Sequence, residues 1–393
     1  MRSSVLRNLC IGVSIMLLTV GILMPFTVTR ALKVIPLDLT AKTTTDVLQG
    51  TLMDATAFAE GTTLPEHADD PACQLDEHTK PMSCFIGNST ALRGIRNISV
   101  VEPSDKERIT LKVANVLLRV DRESPNDLVD ATVDTVTLTR KTGYPVSDPI
   151  STFEIAAPDL NITGNTGSFA RDGVQYTFPF GMKREPIEYF DIYAQASHPL
   201  NYVEDTEVGG IDAYKMHQNV GAVNLFDVYT EVANRKGGPT ENEELSLAAL
   251  KLESTAGRWY TAEELAAQGL EAESPVTMTR YYSIDRTIWV EPETGAILDG
   301  VEHLNFFFAQ NQEEAQKMAD SFFANPDGTP NVNRTALNVR NAWDDQTRAA
   351  QHERAEEGIK GLKMLRTITW GLIILGLIGL GVAALGAARA RKQ

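Results

Sequence analysis

The 393-residue chain carries 36 Lys and Arg against 52 Asp and Glu, a formal charge of −16, with 43% hydrophobic and 7% aromatic residues. It is too apolar for a disordered chain and too acidic for a nucleic-acid binder, which needs a basic footprint. Three cysteines are too few for a disulfide scaffold or a zinc ribbon.

A mean hydropathy of −0.16 averages two very apolar segments with a hydrophilic remainder, which points away from a soluble cytoplasmic enzyme. After a short basic segment (1–8), residues Leu9 to Val28 form an uncharged run of twenty. As a helix that is roughly 30 Å, the thickness of a hydrocarbon core. Thr367 to Ala388 is a second uncharged run, of twenty-two. Arg2 and Arg7 precede the first span, and Arg389, Arg391 and Lys392 follow the second (389–393). These place both termini in the cytoplasm. Arg30, Lys33, Lys360, Lys363 and Arg366 at the inner ends oppose that assignment, but large domains translocate regardless of charge. Without the five terminal basic residues, 31 Lys and Arg face all 52 acids, so the intervening part carries −21. A cleaved signal is disfavoured: Thr29-Arg30-Ala31 is a poor cleavage site, and the apolar run exceeds the roughly 7–15 residues of a signal core. In the second span Gly379, Ala383 and Ala387 recur every four residues, a face on which the first span, a second copy or a foreign helix can pack closely.

Residues 29–304 read as a β-rich extracytoplasmic domain. Cys73 and Cys84 lie in a loop with His67 and His78 interleaved. The spacing fits no zinc signature and an exported compartment is oxidising, so a disulfide is the reading adopted over zinc. Ile109–Val120, Ala131–Arg140, Val174–Phe180, Ile187–Gln195, Tyr202–Val208, Ile211–Val220, Ala222–Val232 and Val276–Val290 alternate as strands. Gly209-Gly210 makes a hairpin. Pro292 to Gly295 turns the chain with Gly295 at positive φ, and Ala296–Leu304 returns. Within Val276–Ile284, Val276, Met278, Tyr282 and Ile284 share a face with Arg280. Consecutive strands with short turns predict a curled antiparallel sheet, sandwich or barrel flanked by the terminal helices. Thr261 and Glu264 open a short helix. Residues 305–366 read as a helical region, broken at Asn325–Gly328, with Arg334 to Arg366 a stalk that bends at Gly358 and Gly361.

Chemistry-bearing patterns are scarce. The six histidines are scattered, and no nucleophile elbow, phosphate loop, dinucleotide fingerprint or metalloprotease motif occurs. Acidic pairs such as Asp69-Asp70 and Glu263-Glu264 are adjacent, and adjacent strand residues point to opposite faces. No catalytic, metal or cofactor site is therefore assigned. Aromatics are the remaining signal: Tyr176, Phe178 and Phe180 on one strand, Phe190 with Ile192 on another, Tyr281, Tyr282 and Trp289 on a third. They serve either as sheet core or as the candidate lining of a cavity that shields a lipid tail. Asn88, Asn97, Asn161 and Asn333 head glycosylation sequons that matter only in a eukaryotic host.

Several stretches carry a resemblance: Met24-Pro25-Phe26, Lys33 and Pro36-Leu37-Asp38; Tyr176 to Asp191; Val208 to Met216; and Arg280 to His303. Together, and with the segment Tyr281 to Gly300 the most specific, they resemble the actinobacterial PorA family of corynebacteria and mycobacteria over nearly the whole chain. The resemblance implies a plasma-membrane protein whose large domain faces the cell wall; some members are linked to lipomannan and lipoarabinomannan assembly, without a known catalytic activity. The family label implies a porin. The residues argue otherwise, since a membrane barrel needs unbroken segments of about ten residues alternating toward lipid. Glu291, Pro292, Thr294 and Gly295 of the shared motif are read as builders of one hairpin.

The expectation is thus a non-enzymatic, two-span inner-membrane protein that assists lipoglycan or glycolipid assembly. Its partners would be membrane lipids, lipoglycan intermediates or envelope-assembly membrane proteins, with homo-oligomerisation through the second span and no nucleic acid. The alternatives are a porin or porin-associated protein and a carbohydrate-active enzyme.

Overall fold

Period-two alternation, interrupted by Gly, Pro and Asn, dominates this chain, and it folds as one curled antiparallel sheet. The computed structural model describes residues 2–76, 79–160 and 162–390. His78, the Asn161 sequon, Arg391 and Lys392 lie outside the described residues. Two compact units result: Met1–Ile35 with His352–Gln393, and Pro36–Gln351.

The helices are α1 (Arg2–Leu23), α2 (Arg30–Leu32), α3 (Ala55–Glu60), α4 (Leu225–Arg235), α5 (Glu241–Ala249), α6 (Ala262–Gln268), α7 (Gln312–Ala324) and α8 (Asp345–Ala390). The strands are β1 (Thr40–Thr44), β2 (Leu48–Met53), β3 (Ile86–Val101), β4 (Arg108–Arg119), β5 (Leu128–Thr139), β6 (Thr152–Ala157) and β7 (Ile162–Asn165). They continue with β8 (Ile187–Asp191), β9 (Ala196–Val208), β10 (Ile211–Asn224), β11 (Lys251–Thr255), β12 (Pro275–Val290), β13 (Ile297–Ala309) and β14 (Thr335–Ala342). Among the described residues they make a fourteen-stranded sheet in the order β7-β6-β5-β4-β3-β2-β14-β13-β12-β10-β9-β8, with β1 on β3 and β11 on β12. It curls into a half-barrel, with apolar helices at the two ends of the chain.

The turn chemistry matches the sequence. Gly209 and Gly210 take φ of +58° and +83°, and Gly295 takes +74°. Thr261 and Glu264 form the expected reciprocal cap on α6. Four expectations fail. Ala222–Val232 is not a strand: Asn224 accepts from the Phe226 and Asp227 amides and starts α4, which buries Leu225, Val232 and Ala233. Val174–Phe180 is extended but pairs only at Val174, with Tyr189. The stalk begins at Asp345 and not at Arg334, because Thr335–Ala342 is strand β14, inserted between β13 and β2 with Ala336 and Val339 buried. Helix α8 then runs without a break across Gly358 and Gly361.

In the helical unit the small-residue face of α8 meets α1. A Cβ at Gly379 would overlap the Ser14 hydroxyl, one at Gly376 would lie 2.6 Å from Leu18 Cγ, and one at Gly21 2.8 Å from Ile373 Cγ1. Ala383 is buried and Ala387 half-buried along the same face. In the sheet unit Cys73 and Cys84 form a disulfide with Cα atoms 5.5 Å apart, buried against Phe85, Ala57 and Phe58. His67, the histidine that zinc would need, places Nε2 2.9 Å from the Ile86 carbonyl oxygen.

The bridge closes a loop of sequence separation 11. Replacing both cysteines by serine lowers the stability of the full chain by about 3 kcal/mol. The denaturation midpoint in detergent measures this, and reducing agent reproduces the shift in the unaltered protein.

Candidate functional site: the concave face of the sheet

Cross-strand register builds the site. Gln218, Arg286 and Glu302 form one row across β10, β12 and β13, and Arg96, Asn115 and Thr132 another across β3, β4 and β5. Curling brings the rows together, so that Arg96 Nη2 reaches Glu302 at 3.5 Å. Arg96 Nε donates to Asn115 Oδ1 at 2.6 Å, and Asn115 donates to the Thr132 hydroxyl at 3.0 Å. Arg286 serves three partners: Glu302 at 2.7 Å, the Gln218 carbonyl at 2.5 Å and Asp191 at 3.1 Å. Asp191 also accepts from the Tyr282 hydroxyl at 2.9 Å and from the Tyr193 and Ala194 amides that follow β8. Burial pushes the Glu302 carboxyl up, but Arg286 and Arg96 outweigh it and hold it below its ordinary value. The belt is dry at one end and wet at the other. Asp191 and Arg286 side chains are 0% and 6% exposed, whereas Arg96 and Glu302 keep 30% and 21%.

A strap crosses this face. Residues 166–186 connect β7 to β8 without joining the sheet as a strand. Arg171 places one guanidinium nitrogen 2.8 Å from both oxygens of Asp134, the Tyr176 hydroxyl donates to the same carboxylate at 2.5 Å, and the pair is fully buried. The guanidinium lies 4.1 Å from the Phe190 ring centroid. Farther along, the Phe178, Gly181 and Met182 amides donate to the carbonyls of Gly295, Glu293 and Pro292. The hairpin that receives them is preset. Glu291, 3% exposed, accepts from the Glu293 and Thr294 amides and the Thr294 hydroxyl. A side chain at Gly295 would overlap the Phe178 carbonyl. The most specific motif stretch and the stretch Tyr176 to Asp191 therefore meet in space, the latter as strap and the former as its seat.

The aromatic residues singled out from sequence do not line one cavity. Phe178 stacks on Tyr189 at 6.1 Å, and Phe190 and Ile192 pack with Phe153 and Phe169. Tyr282 packs with Tyr193 and Phe306, while Tyr281 is on the opposite face, stacked on Phe307 beneath α7. Phe180 and Trp289 are half-exposed, Trp289 on the Tyr281 side. They are core. The charged residues missed by the sequence reading carry one signal, a charge in the inward phase of an alternating strand: Arg96, Asp134, Arg286 and Glu302.

A family model described as Porin PorA matches residues 8–385. The chain belongs to the PorA family. Porin PorA of Corynebacterium resistens is 37% identical over 406 residues, covering 99% of this chain and 97% of its own length. Porin PorA of Corynebacterium amycolatum is 34% identical, covering 92% and 93%. Membrane or envelope association follows for this PorA member from those relatives and its two apolar helices. The same finding overturns the expectation of an inner-membrane accessory role in lipoglycan assembly, because the relatives are named as porins. The objection to a porin was that the strands do not alternate toward lipid. It bears on where the sheet sits and does not exclude a part in solute passage.

Asp130 adds a pH-sensitive group. Burial pushes its carboxyl from 3.8 up to about 6, against the pull of a 3.2 Å bond from the Tyr193 hydroxyl. A carboxyl raised on folding favours the folded state below its unfolded value, and that gain is lost as pH rises from about 4 to 6. Asp130→Asn therefore raises the melting temperature above pH 7, by the equivalent of up to about 2 kcal/mol after allowance for partial exposure, and leaves it unchanged below pH 4. Gly295→Ala costs roughly 2 to 4 kcal/mol through backbone strain and displacement of the strap, and protease cutting within residues 166–186 reports it.

Proposed function

We propose that the protein is a non-enzymatic porin-class envelope protein that passes small hydrophilic solutes, with Arg96 and Glu302 at the wet end of the belt flanking the path. The observation that carries this reading is a charged, water-reached row on the inside of a curled sheet, in a chain whose relatives are named as porins. The structural division of labour differs from that of a membrane barrel. Arg93, Asn97, Ser99, Arg108 and Lys112 on the outward side of β3 and β4 are exposed, which suits water and not lipid. Lipid contact falls to α1 and α8, long and apolar enough to cross a bilayer. This supports a two-span topology in the plasma membrane with both termini cytoplasmic. Two apolar helices enclose no water, so a conducting form takes several copies.

The purified full-length chain in planar bilayers is expected to give discrete conductance steps. Glu302→Gln removes one fixed negative charge and shifts the permeability ratio toward anions several-fold. Membranes that stay silent with demonstrably inserted protein overturn the porin reading. Steps with unaltered selectivity in Glu302→Gln would move the path away from the belt.

A further inference from the structure

The helical unit gathers cations at one end of its two spans. Arg30 and Lys33 follow the first span, and Lys360, Lys363 and Arg366 precede the second. Helix contacts fix how these stretches match. Gly21 lies against Ile373, Gly376 against Leu18 and Gly379 against Ser14, so α1 and α8 run antiparallel, each step forward along one answering a step back along the other. The chain continues helically from α1 through the π-turn Pro25–Thr29 and α2. The same match carried outward sets Arg30 about level with Met364, and Lys33 with Gly361.

The band so formed has the make-up of a membrane–water interface. Phe26 and Trp370 are exposed at its apolar side, where aromatic rings sit at headgroup level. One to two turns outward, Leu32 and Met364 are 58% and 66% exposed, interleaved with the exposed Arg30 and Lys363. Basic side chains there lay their stems on apolar surface and hold the charge at the headgroups. Lys360 is paired with Glu356 at 2.7 Å, whereas no ion pair to Arg30, Lys33 or Lys363 exists among the described residues. These cations stand against two biases. Positive charge is disfavoured on the translocated side of a span, and the net charge of −21 between the spans is repelled by an anionic leaflet. An anionic phospholipid meets both halves of the band, with charge at the cations and apolar chains beside the aromatic rings.

We infer that this end of the helix pair is a collar for anionic phospholipids, their phosphates held by Arg30, Lys33 and Lys363 and their acyl chains lying beside Phe26 and Trp370. The collar offsets the repulsion between the acidic chain and an anionic leaflet. The inference rests on the reading that both helices cross a bilayer, and not on solute passage.

Trp370 is the tryptophan of the two spans and reports on this end of them. The full-length protein is reconstituted in phosphatidylcholine bilayers, and quenching of its fluorescence by brominated phosphatidylglycerol is compared with quenching by brominated phosphatidylcholine. Phosphatidylglycerol is expected to associate several-fold more strongly at low salt, with the preference falling toward parity near 1 M salt, where the screening length is about 3 Å. The triple variant Arg30→Gln, Lys33→Gln, Lys363→Gln loses the preference, while Arg30→Lys with Lys363→Arg keeps it. Equal quenching by the two lipids at low salt, or an undiminished preference in the triple variant, overturns the proposal. Glycerol phosphate that abolishes the preference overturns the lipid assignment in favour of a free phosphate ester. Quenching by neither lipid overturns the membrane-crossing reading together with the collar. Should the triple variant fail to insert, the salt dependence of the unaltered protein decides: a preference indifferent to salt overturns the proposal.

Discussion

Arg286 is the interaction on which the rest of the sheet unit depends. One guanidinium joins β12 to β13 through Glu302, to β10 through Gln218, and to the end of β8 through Asp191. Removing one partner of such a buried set typically costs 3–5 kcal/mol, because the remaining charge stays in low dielectric. The set also fixes register. A slip of one residue along β12 would carry Arg286 to the convex face and Asp285 inward, toward the carboxylates of Asp191 and Glu302. Charge placement and hydrophobic alternation therefore specify the same pairing.

Much of this was legible in the sequence because its signals are local. The disulfide follows from compartment and spacing, the Gly209-Gly210 and Gly295 turns from glycine at positive φ, and the strands of the second half from alternation. The failures came where a short polar device overrides a β-like run. Asn224 turns apolar alternation into helix α4, whereas β13 runs on to Ala309 into the region expected to be helical, and the helix starts only where Asn311 caps α7. Strand β14, with the sequence TALNVRNA, reads as helix by composition and is a strand only because β13 and β2 offer it two edges. No local signal announces that.

The site was less legible than the fold. Each member of the belt is, in sequence, a single charged residue between apolar neighbours, and only the curl of the sheet shows that Arg96 faces Glu302 across 206 residues. The aromatics that stood out instead are core. Function was misread for a related reason: interrupted alternation along the strands is a property of the sheet and does not by itself decide the protein's role. Family membership separates the two questions, since membrane crossing and a polar path can reside in different parts of one molecule.

The position of β14 bears on how the protein is made. Six strands of the first half and five of the second are contiguous in the sheet order only through it, and its pairing with β2 is short, Leu337 with Leu52 and Asn338 with Thr51. The ribosome delivers this seam last among the strands. Until residue 342 emerges, the first half waits with an open edge at β2, a template for wrong pairing. The segment that completes the sheet leads directly into α8, so closure of the fold and delivery of the carboxy-terminal apolar helix are consecutive events on one stretch of chain.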